Sequence, residues 1–397
     1  MIFWNLQLII HTRLQFLVLK IMINNSIFYF FQIFIMISYK DIKFDCRYFR
    51  GDIPCTPSKN FGVNCLNCNY YSKFTEKILI IKLGAAGDVI RTTPILYPLK
   101  KSYPDSKIFW LTRSKDLVPL HTTPSADVAL AFNLENVLML QQTQFDIVIN
   151  LDKDNEAIAL MDKIEAKQKF GYTLKNGYCI PVNERAYDKY MTGVFDEVSI
   201  ANKKSYPEEI FEICGYKFNK EKYLLDVEDI PLPDININTS KPVIGLNTGC
   251  GSRWTSRLWK NEYWIELIKL LEKNYEVILL GGEQEDITNK YLADNSSAKY
   301  FGYFNLNTFI SLMNKCDVIV TQVTMGLHIA VALNKYVVLM NNIFNPNEFE
   351  LYGNGEIISP RKACKCFFRA ECINDEYKCM DTLMPEDIFA SIKKFRK

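Results

Sequence analysis

The chain has 397 residues, enough for two domains with separate cores. Apolar residues make up 48% and charged residues 23%, the balance of an ordinary globular protein. The 47 lysines and arginines against 45 aspartates and glutamates leave a net charge of +2, which excludes a globally basic nucleic-acid binder.

The first 37 residues are a different material, rich in Ile, Phe, Leu and Met, with only Arg13 and Lys20 charged. Ile21 to Tyr39 carries no charge and is just long enough to cross a bilayer, although Asn24, Asn25 and Gln32 would be costly there. A secretory signal peptide is not indicated, because no basic residue precedes the apolar part and no alanine occurs before Ala85. The segment reads either as a membrane-associated anchor or as translated sequence upstream of a start at Met22 or Met36.

Of twelve cysteines, eight fall in two clusters: Cys46, Cys55, Cys65 and Cys68, then Cys364, Cys366, Cys372 and Cys379. A cytoplasmic chain would use such clusters for metal rather than for disulfides. Cys65-x-x-Cys68 has zinc-knuckle spacing, so the stronger expectation, a structural zinc or an iron–sulfur centre, falls on the first cluster. The isolated Cys179, Cys214, Cys250 and Cys316 are expected to be reduced.

From residue 77 the chain alternates strands and helices. Ile78–Ile81 is a continuous apolar run, as in a strand buried on both faces of a parallel sheet. Gly84 and Gly87 bracket a tight turn, and Asp88 stands at the start of the helix that follows. Strands are predicted at Lys107–Thr112 and Phe145–Leu151, with a turn at Tyr103-Pro104-Asp105. Periodicity is lost over 228–241, around Pro231 and Pro233, which marks an interdomain linker. A second series follows: strand Val243–Asn247, helix Asn261–Lys273, strand Glu276–Leu280, helix Leu306–Asn314, strand Asp317–Thr321, helix Gly326–Leu333 and strand Tyr336–Met340. The expected organisation is an apolar segment at 1–37, a cysteine-rich extension at 38–76, and two Rossmann-like α/β domains at 77–235 and 241–397. A cleft should lie between the C-terminal ends of their strands. The basic end, Lys393 to Lys397, reads as a solvated tail that could also touch anionic lipid.

Four stretches could carry chemistry. Asp88 is either a helix cap or a general base at the cleft mouth, with Lys82 and Arg91 beside it for an anionic acceptor. The loop Gly245 to Lys260 combines Thr248, Gly249, Gly251 and Ser252 with Arg253, Arg257 and Lys260. Glycine-turn N–H groups and cations there would hold a diphosphate without a metal. Glu283 follows a strand and could accept from ribose hydroxyls. Thr324 and His328 occupy a strand-to-helix junction facing the same cleft. Asp152-Lys-Asp154 has the look of a metal-binding Asp-x-Asp pair, but in a two-halved fold it reads as strand-end and helix-cap residues.

Leu-Gly-Ala-Ala-Gly-Asp-Val-Ile-Arg-Thr-Thr-Pro, ending at Pro94, resembles the opening signature of glycosyltransferase family 9, the lipopolysaccharide heptosyltransferases. The Gly-Leu-Asn-Thr-Gly-Cys-Gly loop and the Thr324–Leu333 segment resemble its donor-site motifs in the same order, so the likeness covers roughly residues 77 to 390. It implies a GT-B fold and inverting sugar transfer from a nucleotide-diphosphate-sugar to a lipopolysaccharide-core or related glycan acceptor. No catalytic cofactor is implied, and the site would be cytoplasmic, with peripheral contact at the inner membrane. By this likeness Asp88 matches the catalytic base, and Ser252, Arg257, Glu283, Thr324 and His328 match donor-contacting positions. The chain departs from the family at Val323-Thr324-Met325, where Asp-Thr-Gly is usual. Two other readings share the architecture: a nucleotide-sugar epimerase, and a non-catalytic metal-binding protein on a transferase scaffold.

Overall fold

The computed structural model describes residues 37–228, 230–232 and 235–396. The apolar segment read at 1–37 therefore lies outside the described residues except for Ile37. No helix among the described residues is long and apolar enough to cross a membrane.

The chain forms two compact units that divide between Phe74 and Thr75. The described part of the first holds a single-turn 3₁₀ helix at Tyr39–Asp41, the short helix α1 (Thr56–Phe61) and one isolated bridge between Cys46 and Lys73. Gly62 ends α1 in the left-handed conformation.

The second unit contains two sheets. In the first, β1 (Lys77–Ile81) is central, and the order is β3-β2-β1-β4-β5-β6. Here β2 is Lys107–Thr112, β3 Val128–Ala131, β4 Phe145–Asn150, β5 Ala166–Lys175 and β6 Tyr178–Pro181. All neighbours are parallel except β5 and β6, which form an antiparallel hairpin at one edge. Its helices are α2 (Ala86–Thr92), α3 (Leu96–Ser102), α4 (Leu134–Gln141), α5 (Asn155–Lys163), α6 (Tyr187–Thr192), α7 (Asp196–Ala201) and α8 (Tyr206–Ile213). The apolar run of β1 has the cause expected of it. Ile78 and Ile80 pack into one core cluster and Leu79 and Ile81 into another on the opposite face.

After α8 no helix or strand occurs among the described residues until β7 (Val243–Asn247). The second sheet has the order β11-β10-β9-β7-β8 and is wholly parallel. Its other strands are β8 (Glu276–Leu280), β9 (Val318–Gln322), β10 (Tyr336–Met340) and β11 (Gly355–Ile358). Its helices are α9 (Asn261–Leu271), α10 (Asp286–Asp294), α11 (Leu306–Asn314), α12 (Met325–Ala332) and α13 (Pro385–Ile392). Two parallel sheets flanked by helices make this the α/β, GT-B-like architecture expected from the alternating pattern. One core cluster runs through both halves, from Ile78 and Ile90 to Leu327 and Ile329, so α2 and α12 pack against each other.

Candidate active site

The site begins where β1 ends. Lys82 is buried; its ammonium donates to the Asp152 carboxylate and the Gly84 carbonyl, and lies 3.5 Å from Asp88 Oδ2. Burial opposes its charge, but the Asp88 and Asp152 carboxylates hold it above the ordinary lysine range. Asp152 also accepts from the backbone N–H groups of Leu83 and Gly84, at 3.3 Å for the latter. Asp152 is thus a clamp on the glycine turn. Asp154 is the N-cap residue of α5, as its position suggested, but makes no side-chain capping bond and pairs with Arg113 at 3.4 Å.

Ala85, not Asp88, is the N-cap of α2, so the aspartate sits in the first turn with its carboxylate turned to Arg91 Nε at 2.9 Å. Burial would raise its pKa, but Arg91 and Lys82 outweigh that and hold it well below the usual carboxylate range. The Arg91 guanidinium lies 3.7 Å over the Tyr206 ring and 4.0 Å from Glu348, and its buried Nη1 has no hydrogen-bond partner. Gly87 lets α12 come close: a Cβ there would lie 2.5 Å from Cδ2 of His328. His328 is buried against it, and burial together with Arg91 pushes its pKa down to about 3, against the pull of Asp88. The imidazole is therefore neutral.

Across from α2, the loop after β7 turns through Gly251, whose φ of +71° favours glycine. Arg257 is buried beneath this loop. It donates to the carbonyls of Cys250 at 3.1 Å and of Val323, joining the glycine loop to the β9–α12 junction. Thr324 is the N-cap of α12, accepting from Gly326 N–H at 3.1 Å and from the Asn247 amide at 3.0 Å. Ser256 fastens the same loop to the C-terminal cysteine segment, donating from Oγ to Arg369 O at 2.7 Å and from its N–H to Ala370 O at 2.8 Å.

A cavity of about 710 Å³ brings Asp88, Arg91, Gly249, Gly251, Arg257, Glu283, Thr324 and His328 together. Thr248 and Ser252 line an adjoining space of about 530 Å³ that shares Gly249 and Gly251 with it, and the Thr248 hydroxyl is turned to Asn289 at 2.6 Å. A further cavity of about 560 Å³ also has Asp88 in its wall and mixes basic side chains (Lys82, Arg91, Lys153, Lys189 and Arg253) with as many acidic ones (Asp88, Asp152, Asp154, Glu209 and Glu348). Asp88 and Arg91 belong to the walls of both large cavities. The loop cations therefore separate: Arg253 faces the second cavity, Arg257 serves the loop, and Lys260 pairs with Asp381 at 2.9 Å.

Lys153, Tyr206, Asn345 and Glu348 line the second cavity without having been singled out in the sequence. Burial, then the nearby Lys189, pushes the Lys153 pKa down to about 8. Their only sequence signal is position: Lys153 lies just beyond a strand end, and the other three come from separate segments that only the fold brings together.

The cysteine expectation gains a second place. Among the described residues, Cys364, Cys366 and Cys379 form the group of thiols close enough to hold a metal ion. Cys372 joins them: its sulfur is 3.6 Å from that of Cys366 and 3.8 Å from that of Cys379, while Cys366 and Cys379 are 3.7 Å apart. Sulfurs bound at about 2.3 Å around a tetrahedral ion stand about 3.8 Å apart. Cys366, Cys372 and Cys379 therefore fit one ion, with Cys364 within 4.8 Å of Cys366 and Cys379 as a further ligand. Spacing along the chain favoured the other cluster; a loop folding back on itself favours this one.

The family model for glycosyltransferase family 9 (heptosyltransferase) matches residues 137–378. This chain belongs to glycosyltransferase family 9. The transferase is 22% identical over 302 residues to the lipopolysaccharide core heptosyltransferase OpsX of Haemophilus influenzae, covering 72% of this chain and 84% of that one. Its fold is similar to that of the E. coli ADP-heptose LPS heptosyltransferase II, with a TM-score of 0.58 at 16% identity over 80% of this chain and 98% of that one. It is also similar to the dodecameric iron-containing heptosyltransferase TibC of E. coli, solved with ADP-D-β-D-heptose, with a TM-score of 0.52 at 13% identity over 80% and 75% of the two chains.

Proposed function

We propose that this transferase moves a heptose-like sugar from a nucleotide-diphosphate-sugar to a lipopolysaccharide-core or related glycan acceptor, with inversion at the anomeric carbon. One observation carries the reading: two carboxylates, Asp88 and Glu348, stand in the wall shared by two large cavities, and Asp88 is the one that Arg91 and Lys82 hold ionised, whereas burial pushes Glu348 up. The 710 Å³ cavity with the glycine loop would take the donor, and the 560 Å³ cavity the acceptor, with Lys153 and Arg253 the cations there for its anionic groups. Relatives named as heptosyltransferases support the choice of sugar and acceptor.

In this mechanism the acceptor hydroxyl enters from the Lys153 side and its oxygen forms a bond to the anomeric carbon. Its proton passes to Asp88, and the bond from that carbon to the diphosphate oxygen breaks, with the electron pair leaving on the diphosphate. Arg91, whose Nη1 makes no hydrogen bond and lies 4.0 Å from Glu348, and the N–H groups at the start of α12 would meet the developing negative charge. Arg257 positions the loop rather than facing the leaving group. Fixed cations and N–H groups fill the part a divalent ion would otherwise play, and Asp152 and Asp154, an Asp-x-Asp pair, are committed to Lys82 and Arg113. The acceptor class places the work at the cytoplasmic face of the inner membrane, with peripheral contact there.

Cys364, Cys366, Cys372 and Cys379 would hold one structural iron or zinc ion, which braces the segment that receives Ser256 and takes no part in the transfer. The iron of TibC favours iron.

The test is Asp88→Asn. Transfer should fall by about 10²- to 10⁴-fold, the usual worth of a general base. Equilibrium binding of ADP-heptose should remain within a few-fold of wild type. Turnover near the wild-type rate would overturn the assignment.

A further inference from the structure

We propose that the N-terminal unit is an iron–sulfur domain, in which Cys46, Cys55, Cys65 and Cys68 hold a [4Fe–4S] cluster in a cavity they all line. This cavity, of about 170 Å³, lies within residues 37–71 and counts all four thiols among its walls. All four cysteines are free thiols, with Cys46 buried and the others half-buried.

The described part of the unit has little apolar core. Of residues 37–74, only Cys46, Pro57 and Phe74 are buried, while Tyr39, Phe44, Ile53, Phe61 and Leu66 are largely exposed. Among the described residues of the unit, regular structure amounts to a 3₁₀ turn, one six-residue helix and an isolated bridge. With no disulfide among these cysteines, four free thiols stand around one void.

The spacing of the thiols decides what they hold. A single tetrahedral ion draws its four sulfurs to within about 3.8 Å of one another and leaves no cavity between them. That is the state of Cys366, Cys372 and Cys379 at the C-terminal site, whose sulfurs stand 3.6–3.8 Å apart. Among the described residues no three of the N-terminal thiols come within 4.8 Å of one another, the range that collects Cys364, Cys366 and Cys379. A cubane fits this wider arrangement, because four irons and four sulfides fill the middle and each thiolate binds a corner. Tyr48, Phe49, Pro54 and Val63 complete the wall, an apolar shell of the kind that shields a cluster from water. The chain thus carries two cysteine sites of different kind, one built for a lone ion and one for a cluster.

The experiment uses the full chain purified without oxygen. Acid-labile sulfide is the deciding quantity, since a lone ion at the C-terminal site contributes none. The wild type should hold about four irons and four sulfides in this cluster per chain. Its iron absorption-edge spectrum should show iron–iron scattering. The Cys65→Ser/Cys68→Ser variant should lose both. Absence of sulfide from the wild type, with zinc or no metal in the unit, overturns the proposal, as does sulfide that persists in the variant. Thiol alkylation of the wild type gives an answer that does not depend on the variant folding. Cys55, Cys65 and Cys68 are accessible enough to react when free. They should be protected in the native chain and labelled once acid has released the cluster. Full labelling of all three in the native chain overturns the proposal.

Discussion

Gly87→Ala tests whether the close approach of α2 and α12 sets the geometry of the site. The new methyl would lie 2.5 Å from Cδ2 of His328, whereas carbon atoms pack comfortably at about 3.5–4.0 Å, so something must yield by about 1 Å. His328 cannot swing away freely, since it is buried and its ring lies 6.1 Å from that of Tyr223. Overpacking of this kind costs about 1–3 kcal/mol, while alanine within a helix returns about 1 kcal/mol over glycine. The net loss of stability is therefore about 0–2 kcal/mol, and a urea midpoint alone would be a weak readout. Rate is the sharper one. Asp88 is the next residue on α2, and a displacement of about 1 Å at a reacting group can cost about 100-fold. We expect kcat to fall by that order while the chain stays folded by circular dichroism. His328→Ala in the same chain removes the clashing ring, so the double variant should recover activity relative to Gly87→Ala and show a coupling of about 0.5–3 kcal/mol. A kcat within twofold of wild type for Gly87→Ala, or no coupling to His328, would refute the reasoning.

Two further outcomes follow from the same geometry. Arg257→Lys keeps the charge but cannot span the Cys250 and Val323 carbonyls; losing a charged hydrogen bond costs about 1.5–3 kcal/mol, so donor affinity should weaken about 10- to 100-fold. Unchanged donor binding by calorimetry would show that the loop does not depend on it. In the pH profile of kcat/KM, Asp88 is ionised and His328 neutral throughout pH 5–8, because the pKa of the first is lowered and that of the second pushed to about 3. Neither contributes an acid limb there. Lys153, pushed down to about 8, is a cation below that pH and loses its charge above it, so activity towards an anionic acceptor should fall on the alkaline side. Lys153→Met should abolish that limb, and a limb centred near the ordinary histidine value of about 6.5 would contradict the account.

The sequence was most readable where one interaction dominates. A strand buried on both faces must be apolar throughout, and β1, β2, β7, β8 and β10 were accordingly found at or within a residue of their bounds. The edge hairpin was not: β5 reads Ala-Lys-Gln-Lys-Phe-Gly-Tyr-Thr-Leu-Lys and is half exposed, so no apolar run marks it. Helix α12 was found within a residue, but what its first turn does was not legible. Thr324 caps it, and His328 is held neutral by its burial against α2 and by Arg91, a residue far away in sequence.

The same limit explains the acceptor side. Arg91 reads in isolation as a surface cation, yet in the fold it is wedged between Asp88, the Tyr206 ring and Glu348, three groups from three segments. Asp88 likewise reads as a cap until Lys82 and Arg91 are seen to hold it ionised inside the protein. A carboxylate that was only a cap would gain nothing from two buried cations, since capping needs N–H groups alone. Keeping Lys82 charged at such depth costs desolvation that Asp152 and Asp88 must offset together. The arrangement is understandable as a place where negative charge arrives and departs: in the proposed transfer Asp88 would take up a proton while a diphosphate gathers charge in the donor cavity.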